Sequence, residues 1–222
     1  MTKPLQSYYD LIDNPSHRCP CILVLDTSYS MYDIAIRELN QGLQQFIQAV
    51  KHDDYAGQSV EVGVVTFGHR VIPQLPLTPV RQIENVDNFI ASGDSPMGAA
   101  VHAGLDILEA RKRAYQKAGV AYHQPWLILM TDGVPTDEWR SAAVRCQTLA
   151  DQKKLSVYSI AMGPDADLNV LTHFGERKPM RLRGLRFREF FQWLSASMER
   201  LSQSHPDMPD TEEVDTLGWE AL

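Results

Sequence analysis

Three separate stretches of the chain carry side chains whose oxygen atoms could bind a metal ion. Asp26, Ser28 and Ser30 lie two residues apart directly after an apolar run, so in an extended segment their side chains point the same way. Ser95 stands just before a long helical pattern, and Asp132 follows another apolar run. Carboxylate and hydroxyl oxygens suit Mg²⁺, Mn²⁺ or Ca²⁺, whereas a soft metal would prefer cysteine or histidine. The five residues are therefore candidate ligands of one divalent cation, with water completing its shell.

Each candidate ligand also has a purely structural interpretation. Ser30, with Asp33 three residues later, fits the capping pattern at the start of a helix, and Ser95 before Pro96 fits a helix N-cap. The two aspartates could accept backbone hydrogen bonds at the ends of strands. Capping accounts for the serines one at a time, but it does not account for the alternation that begins at Asp26. The combination of the three stretches favours a metal site.

The loops that carry these residues alternate with the elements of an α/β fold. Short apolar runs predict strands buried on both faces, and the stretches between them have the periodicity of amphipathic helices, which together indicate a mostly parallel sheet. The predicted strands are 21–25, 59–67, 71–75, 126–130 and 155–162. The predicted helices are about 31–50, 97–119, 137–153 and 187–202. Such sheets bind ligands at the carboxyl ends of their strands, where the three stretches are expected.

Charge limits the classes of partner. The 222 residues include 21 Lys and Arg and 28 Asp and Glu, and the net charge of −7 argues against binding nucleic acid or an anionic membrane through bulk charge. Six of the acids and no Lys or Arg lie in 203–222, so the first 202 residues have a net charge of −1. We expect an N-terminal extension 1–19, one domain 20–202 and an acidic tail 203–222 whose composition is typical of disorder.

The cysteines and the hydropathy of the sequence indicate in which cellular compartment the protein is expected. Cys19, Cys21 and Cys146 form neither an even disulfide framework nor a Cys-x-x-Cys pair, which is typical of reduced thiols. No stretch resembles a signal peptide, and the apolar runs are too short to span a bilayer. These features predict a cytoplasmic protein that does not bind membranes.

The three motifs together resemble the von Willebrand factor A domain with its metal-ion-dependent adhesion site (MIDAS). The resemblance rests on Asp-x-Ser-x-Ser after a strand, on Ser95 before a helix and on Thr-Asp-Gly at 131–133, in that order, and it extends over about 20–202. It implies a doubly wound, mostly parallel six-stranded sheet of strand order 3-2-1-4-5-6, flanked by helices. The antiparallel edge strand of that sheet would be 71–75.

The same resemblance implies a role for each candidate ligand. Ser28 and Ser30 would bind the metal directly, and Asp26 and Asp132 would bind it directly or through water. Ser95 occupies a position where the family usually has threonine. Serine keeps the hydroxyl donor but lacks the methyl group that stiffens the threonine side chain, so the coordination chemistry is preserved with less preorganisation. Mg²⁺ is the expected ion.

Three segments look most like the bacterial TerY-like proteins associated with tellurite resistance: 24–31, 129–133 and 187–197. In relatives the metal takes an Asp or Glu from a partner protein, so the resemblance implies a docking module and not an enzyme. The implied setting is a bacterial stress-resistance or phosphorylation-linked signalling assembly.

Two other functions stay open at this point. Asp94 beside Ser95 would suit a metal-dependent phosphoester hydrolase, although Ser28 replaces the second aspartate of haloacid-dehalogenase-type phosphatases and no Gly-x-Ser-x-Gly elbow is present. Segment 177–188, with six basic residues, would suit nucleic acid or a phosphorylated protein. Its interleaved apolar residues favour a loop and strand anchored in the core. The basic residues around Arg111 are expected to form a solvated helix end.

Overall fold

A mixed sheet forms the centre of the molecule in the part of the chain that the computed structural model describes, residues 14, 16–132, 134–162, 166–182 and 187–205. Its six strands are β1 Cys19–Asp26, β2 Val60–Phe67, β3 Val71–Pro79, β4 Trp126–Thr131, β5 Ser156–Met162 and β6 Met180–Leu182. They lie in the order β3-β2-β1-β4-β5-β6. β3 is antiparallel to β2, and the other neighbours are parallel. The predicted fold class, strand order and antiparallel edge strand are confirmed.

Helices cover both faces of this sheet. They are α1 Ile34–His52, α2 Ala56–Ser59, α3 Met97–Ala118, α4 Arg140–Asp151, α5 Leu168–Leu171 and α6 Phe187–Gln203, with 3₁₀ turns at Tyr29–Met31 and Val80–Gln82. On β1, Leu23 packs into the core formed with α1 and α6, whereas Ile22 packs into the core formed with α3 and α4. Burial on both faces explains why the parallel strands are continuous apolar runs in the sequence. Within the described residues, none of the helices combines the length and apolar character needed to cross a membrane.

Two helices begin later than their periodicity predicts. The pattern predicts a start at Met31, but Met31 lies in the 3₁₀ turn, and Asp33, with φ of 67°, interrupts the helical path before α1. α4 begins at Arg140 and not at Asp137, because the Asp137 carboxylate accepts hydrogen bonds from the first turn of α3. Both boundaries are set by loops that carry candidate ligands.

A buried ion cluster joins α3 to the amino end of β2. The Glu61 carboxylate accepts hydrogen bonds from Arg111 Nε and Nη2 at 2.6 and 2.7 Å and from the Tyr115 hydroxyl at 2.8 Å. Arg18 Nε lies 3.5 Å from the same carboxylate. The prediction of a solvated Arg111 is wrong: its side chain is only 11% exposed, because the buried Glu61 carboxylate requires a cationic partner.

Candidate metal centre

The candidate ligands meet at the carboxyl ends of β1 and β4. These strands are neighbours in which Leu25 pairs with Met130, so Asp26 and Thr131 are the next residues of each strand at the same edge. Asp132 follows directly. The register of the sheet therefore brings the first and third candidate stretches side by side.

Asp26 is the most enclosed of the candidates, with no exposed surface. Its Oδ1 accepts a hydrogen bond from the Ser28 backbone N–H at 2.8 Å. Its Oδ2 accepts from the hydroxyls of Thr131 at 2.6 Å and Ser95 at 3.2 Å. Burial raises the pKa of Asp26, and the hydrogen bonds from Ser28, Thr131 and Ser95 oppose that rise because they stabilise the ionised form. No Lys, Arg or His of the described residues forms an ion pair with this carboxylate.

Ser28, Ser30 and Asp132 extend this arrangement towards the surface. The Ser30 hydroxyl donates to Asp132 Oδ1 at 2.7 Å, and the hydroxyl oxygens of Ser28 and Ser30 lie 3.0 Å apart. Ser28 is extended and buried, whereas Ser30 lies in the 3₁₀ turn and is exposed. The expected extended segment therefore gives way to a turn, and the turn brings the two hydroxyls together.

The two serines do not act as helix caps. The N-cap positions are Asp33 for α1 and Pro96 for α3, and neither helix has a side-chain cap hydrogen bond at that position. The hydroxyls of Ser30 and Ser95 donate instead to the two candidate aspartates. The capping interpretation is therefore wrong for both serines, while the structural interpretation of Asp26 holds in part because it accepts one backbone hydrogen bond.

Four hydrogen bonds join the loop of Ser95 and the first turn of α3 to the loop after β4. The Ser95 N–H donates to the Thr136 hydroxyl at 3.1 Å, and the Thr136 N–H donates to the Ser95 carbonyl at 2.9 Å. The N–H groups of Gly98 and Ala99 donate to the two oxygens of Asp137 at 2.9 and 2.8 Å. Asp137 thus caps α3 from another loop, where its charge also suits the helix dipole. The two ligand-bearing loops are held as one unit.

A second set of contacts fixes the loop after β1. The Ser92 N–H donates to the Thr27 carbonyl at 2.8 Å, and the Tyr29 N–H donates to the Gly93 carbonyl at 3.0 Å. Gly93 has φ of +73°, and a Cβ atom there would lie 2.4 Å from the His69 Cα atom. Only glycine allows this approach, which keeps all three candidate stretches in register.

The segment 21–189 matches the family model of the von Willebrand factor type A domain. The chain belongs to this family. The match covers most of the described sheet and all five candidate ligands, and the strand order agrees with the sequence resemblance.

Solved structures similar to this A domain share its fold at low sequence identity. Proximal thread matrix protein 1 from the mussel byssus is 18% identical over 82% of this chain and 48% of that chain, with a TM-score of 0.59. Another structure of the mussel protein, with the same identity and coverage and a TM-score of 0.58, has a zinc-occupied MIDAS motif. The pilus adhesin SpaC from Lactobacillus rhamnosus GG is 12% identical over 83% of this chain and 31% of that chain, with a TM-score of 0.63. This chain thus spans less than half the length of either protein, and no curated protein sequence matches it significantly.

The donor set of this A domain consists of oxygen atoms. Two carboxylates and three hydroxyls come together, and the described residues contain no group of three or more His, Cys, Asp or Glu side chains arranged to hold a metal. A fully buried Asp26 carboxylate beside hydroxyl groups is a chemical fit to a hard divalent cation. The cation would supply a positive charge that none of the described side chains supplies to Asp26. Soft-metal chemistry does not fit this set.

Sequence reasoning missed three residues that organise the centre. Thr131 donates the shortest hydrogen bond to Asp26, and its position beside Asp132 at the end of a strand next to β1 was a usable signal. Thr136 and Asp137 bind the Ser95 loop and the first turn of α3, and they carried no signal beyond their proximity to a predicted helix start.

The features behind the two alternative functions lie outside the hydrogen-bonded set. Asp94 is exposed and has no hydrogen bond to any candidate ligand in the described residues. In the basic segment, Met180 and Leu182 are buried in β6 and the Arg177 guanidinium lies 4.8 Å from the Tyr158 ring centroid, which agrees with an anchored strand. Residues 183–186 of that segment lie outside the described residues.

Proposed function

We propose that this A domain is a metal-dependent protein-interaction module. Asp26, Ser28, Ser30, Ser95 and Asp132 would hold one divalent cation, and the cation would take an acidic side chain of a partner protein. The observation that carries the proposal is the continuous set of hydrogen bonds that joins two carboxylates and three hydroxyls from three loops at the carboxyl edge of the sheet.

The charge of the centre explains why a partner would be acidic. The two carboxylates at most balance the double positive charge of the bound cation, and hydroxyl donors contribute none. A cation that holds these carboxylates through water stays electrophilic and would take an external anion. Asp26, Ser28 and Ser95 form the buried side of the centre, while Ser30 is exposed and Asp132 is half-buried. An external carboxylate would therefore approach from the side of Ser30 and Asp132. The side chains of the domain would hold and orient the ion.

The finer assignments rest on the same centre. Hard oxygen donors support Mg²⁺ as the ion, with Mn²⁺ or Ca²⁺ as alternatives. The TerY-like motif segments support a bacterial tellurite-resistance, stress or phosphorylation-linked assembly. The three cysteines are buried free thiols, which supports the cytoplasm. A domain of 20–202 between an extension and an acidic tail completes the proposal, and residues 206–222 of that tail lie outside the described residues.

Capture of partners from a lysate of the source organism tests this function. The full chain is immobilised in Mg²⁺ or in chelator, alongside the variants Asp132→Asn and Asp106→Asn. Asp106 is the matched control because its carboxylate is exposed and pairs with Arg145 at 2.7 Å, away from the centre. We expect proteins that are retained by wild type and by Asp106→Asn in Mg²⁺, and that are lost with chelator and with Asp132→Asn. Equal retention in all samples would exclude a metal bridge.

A further inference from the structure

Large exposed apolar side chains are frequent on the chain segments that carry the candidate ligands. The described residues expose eight such side chains. Four of them lie in the connections that carry the candidate ligands, and a fifth is the first residue of α1, which follows one of these connections. These five, hereafter the apolar rim, are Tyr29, Tyr32, Ile34, Ile90 and Val134. They are between 55 and 82% exposed. Single exposed apolar residues are ordinary on a protein surface, whereas a group of them marks a binding surface.

Two tyrosines form the part of the rim nearest the ligands. Tyr29 stands between Ser28 and Ser30 in the chain, and its ring stacks on that of Tyr32 with 5.9 Å between centroids and 16° between planes. The hydrogen bond from the Tyr29 N–H to Gly93 fixes the backbone beneath the pair. Tyrosine gives a large contact area at a low cost in conformational entropy, and it is enriched where interfaces gain most of their affinity.

The rim and the centre together fit one kind of peptide, in which a carboxylate stands beside large apolar side chains. The end of this chain has that composition. Residues 212–222 read Glu-Glu-Val-Asp-Thr-Leu-Gly-Trp-Glu-Ala-Leu, with four acids among four large apolar residues and no Lys or Arg. The segment therefore offers the rim its apolar groups and the cation its charge.

The segment is also long enough to reach the centre. His205 lies 5.5 Å from His17, ring to ring, and His17 precedes β1, so the described chain stops at the amino edge of the sheet. The distance back to the carboxyl edge is about the length of α6, roughly 25 Å for 17 residues. Fully extended chain covers roughly 3.3 Å per residue, so 17 residues reach at most roughly 55 Å, about twice the distance required.

We propose that segment 206–222 binds the apolar rim of its own chain and places one of its carboxylates at the candidate metal centre, where it competes with an acidic partner. This inference rests on the proposed function. The effective concentration of a tethered segment is about 1 mM, so a contact with a dissociation constant of about 0.1 mM weakens a competing peptide about tenfold.

A labelled copy of the peptide 206–222 tests the competition by fluorescence anisotropy in Mg²⁺. The full chain is compared with a full-length variant in which Asp207, Asp210, Glu212, Glu213, Asp215 and Glu220 become Asn or Gln. We expect the variant to bind the labelled peptide about tenfold more tightly than wild type, and chelator to abolish binding to both. When Tyr32→Ala is added to the acid-neutral variant, we expect it to weaken binding of the labelled peptide about tenfold. Tyr55→Ala, which removes a 62% exposed tyrosine outside the rim, leaves it unchanged.

Mn²⁺ binding, followed by the loss of the free-ion electron paramagnetic resonance signal, separates the two proposals. If Mn²⁺ binds but wild type and the acid-neutral variant bind the peptide equally, docking of the tail is overturned and the metal-binding part of the proposed function stands. If Mn²⁺ does not bind, both proposals fall. If the chain forms dimers at assay concentration that the acid-neutral variant lacks, the tail docks on a second copy and the intramolecular form is overturned. Retained Mn²⁺ binding by Tyr32→Ala shows that the rim acts on the peptide and not on the ion.

Discussion

Replacement of Thr131 by valine tests whether the centre holds Asp26 as an ionised carboxylate. Valine keeps the shape of the side chain and removes the hydroxyl that donates to Asp26 Oδ2 at 2.6 Å. A hydrogen bond to a charged group contributes about 1.5–3 kcal/mol, and a fully buried carboxylate cannot replace it with one to bulk solvent. We expect the free energy of unfolding to fall by about 2 kcal/mol. For a domain of this size the midpoint temperature then falls by about 4–8 °C.

The assay is equilibrium unfolding in urea with chelator present, so that no bound metal contributes to the free energy of unfolding. Thr27→Val is the matched control, because Thr27 is also buried and its hydroxyl donates to the neutral Phe67 carbonyl at 3.0 Å. That bond is expected to contribute about 1 kcal/mol, roughly half of the charge-assisted one. Equal losses in the two variants would refute the inference that Thr131 stabilises an ionised Asp26.

Three further predictions concern the support of the centre and the opposite edge of the sheet. Gly98→Ala places a Cβ atom 2.3 Å from the Glu138 carbonyl oxygen. The free energy of unfolding in urea should therefore fall by about 1–3 kcal/mol, and Mn²⁺ binding should weaken. Asp137→Ala leaves two N–H groups of α3 without their acceptor and should cost about 0.5–2 kcal/mol in the same assay. Burial, with His17 and His205 nearby, lowers the pKa of His123 from 6.5 to about 4. Between pH 6.5 and 4 the unfolded chain therefore binds a proton at His123 that the folded domain does not. The free energy of unfolding should fall as the pH falls through this window, by at most about 1.4 kcal/mol per pH unit. His123→Gln should remove this dependence on pH.

Much of the fold was predictable because a parallel strand that is buried on both faces consists of consecutive apolar residues. The run at 126–130 needed only one further residue to match β4. Helix starts were less predictable, since Asp33 adopts a positive φ that periodicity does not reveal and Asp137 is recruited by a helix distant in sequence. The buried position of Arg111 depends on Glu61, 50 residues away, and no local pattern indicates that pairing.

The proximity of the candidate side chains was predictable for a different reason. Residue type and order selected Asp26, Ser95 and Asp132. The register of β1 and β4 brings Asp26 and Asp132 to one edge, and a hydrogen bond to Asp26 places Ser95 there. The sequence did not show that Ser30 enters through a 3₁₀ turn, because the choice of turn depends on contacts with the loop at Gly93. Their role as metal ligands stays a prediction.

Titration of the full chain with Mn²⁺, followed by electron paramagnetic resonance and by competition with Mg²⁺, tests the central claim most directly. We expect one ion per chain, displacement by Mg²⁺, and at least tenfold weaker binding in Asp132→Asn, because one carboxylate ligand loses its charge. Asp106→Asn, with its exposed carboxylate, should bind as wild type does. No saturable binding, or equal binding by wild type and Asp132→Asn, would contradict the assignment of the metal centre.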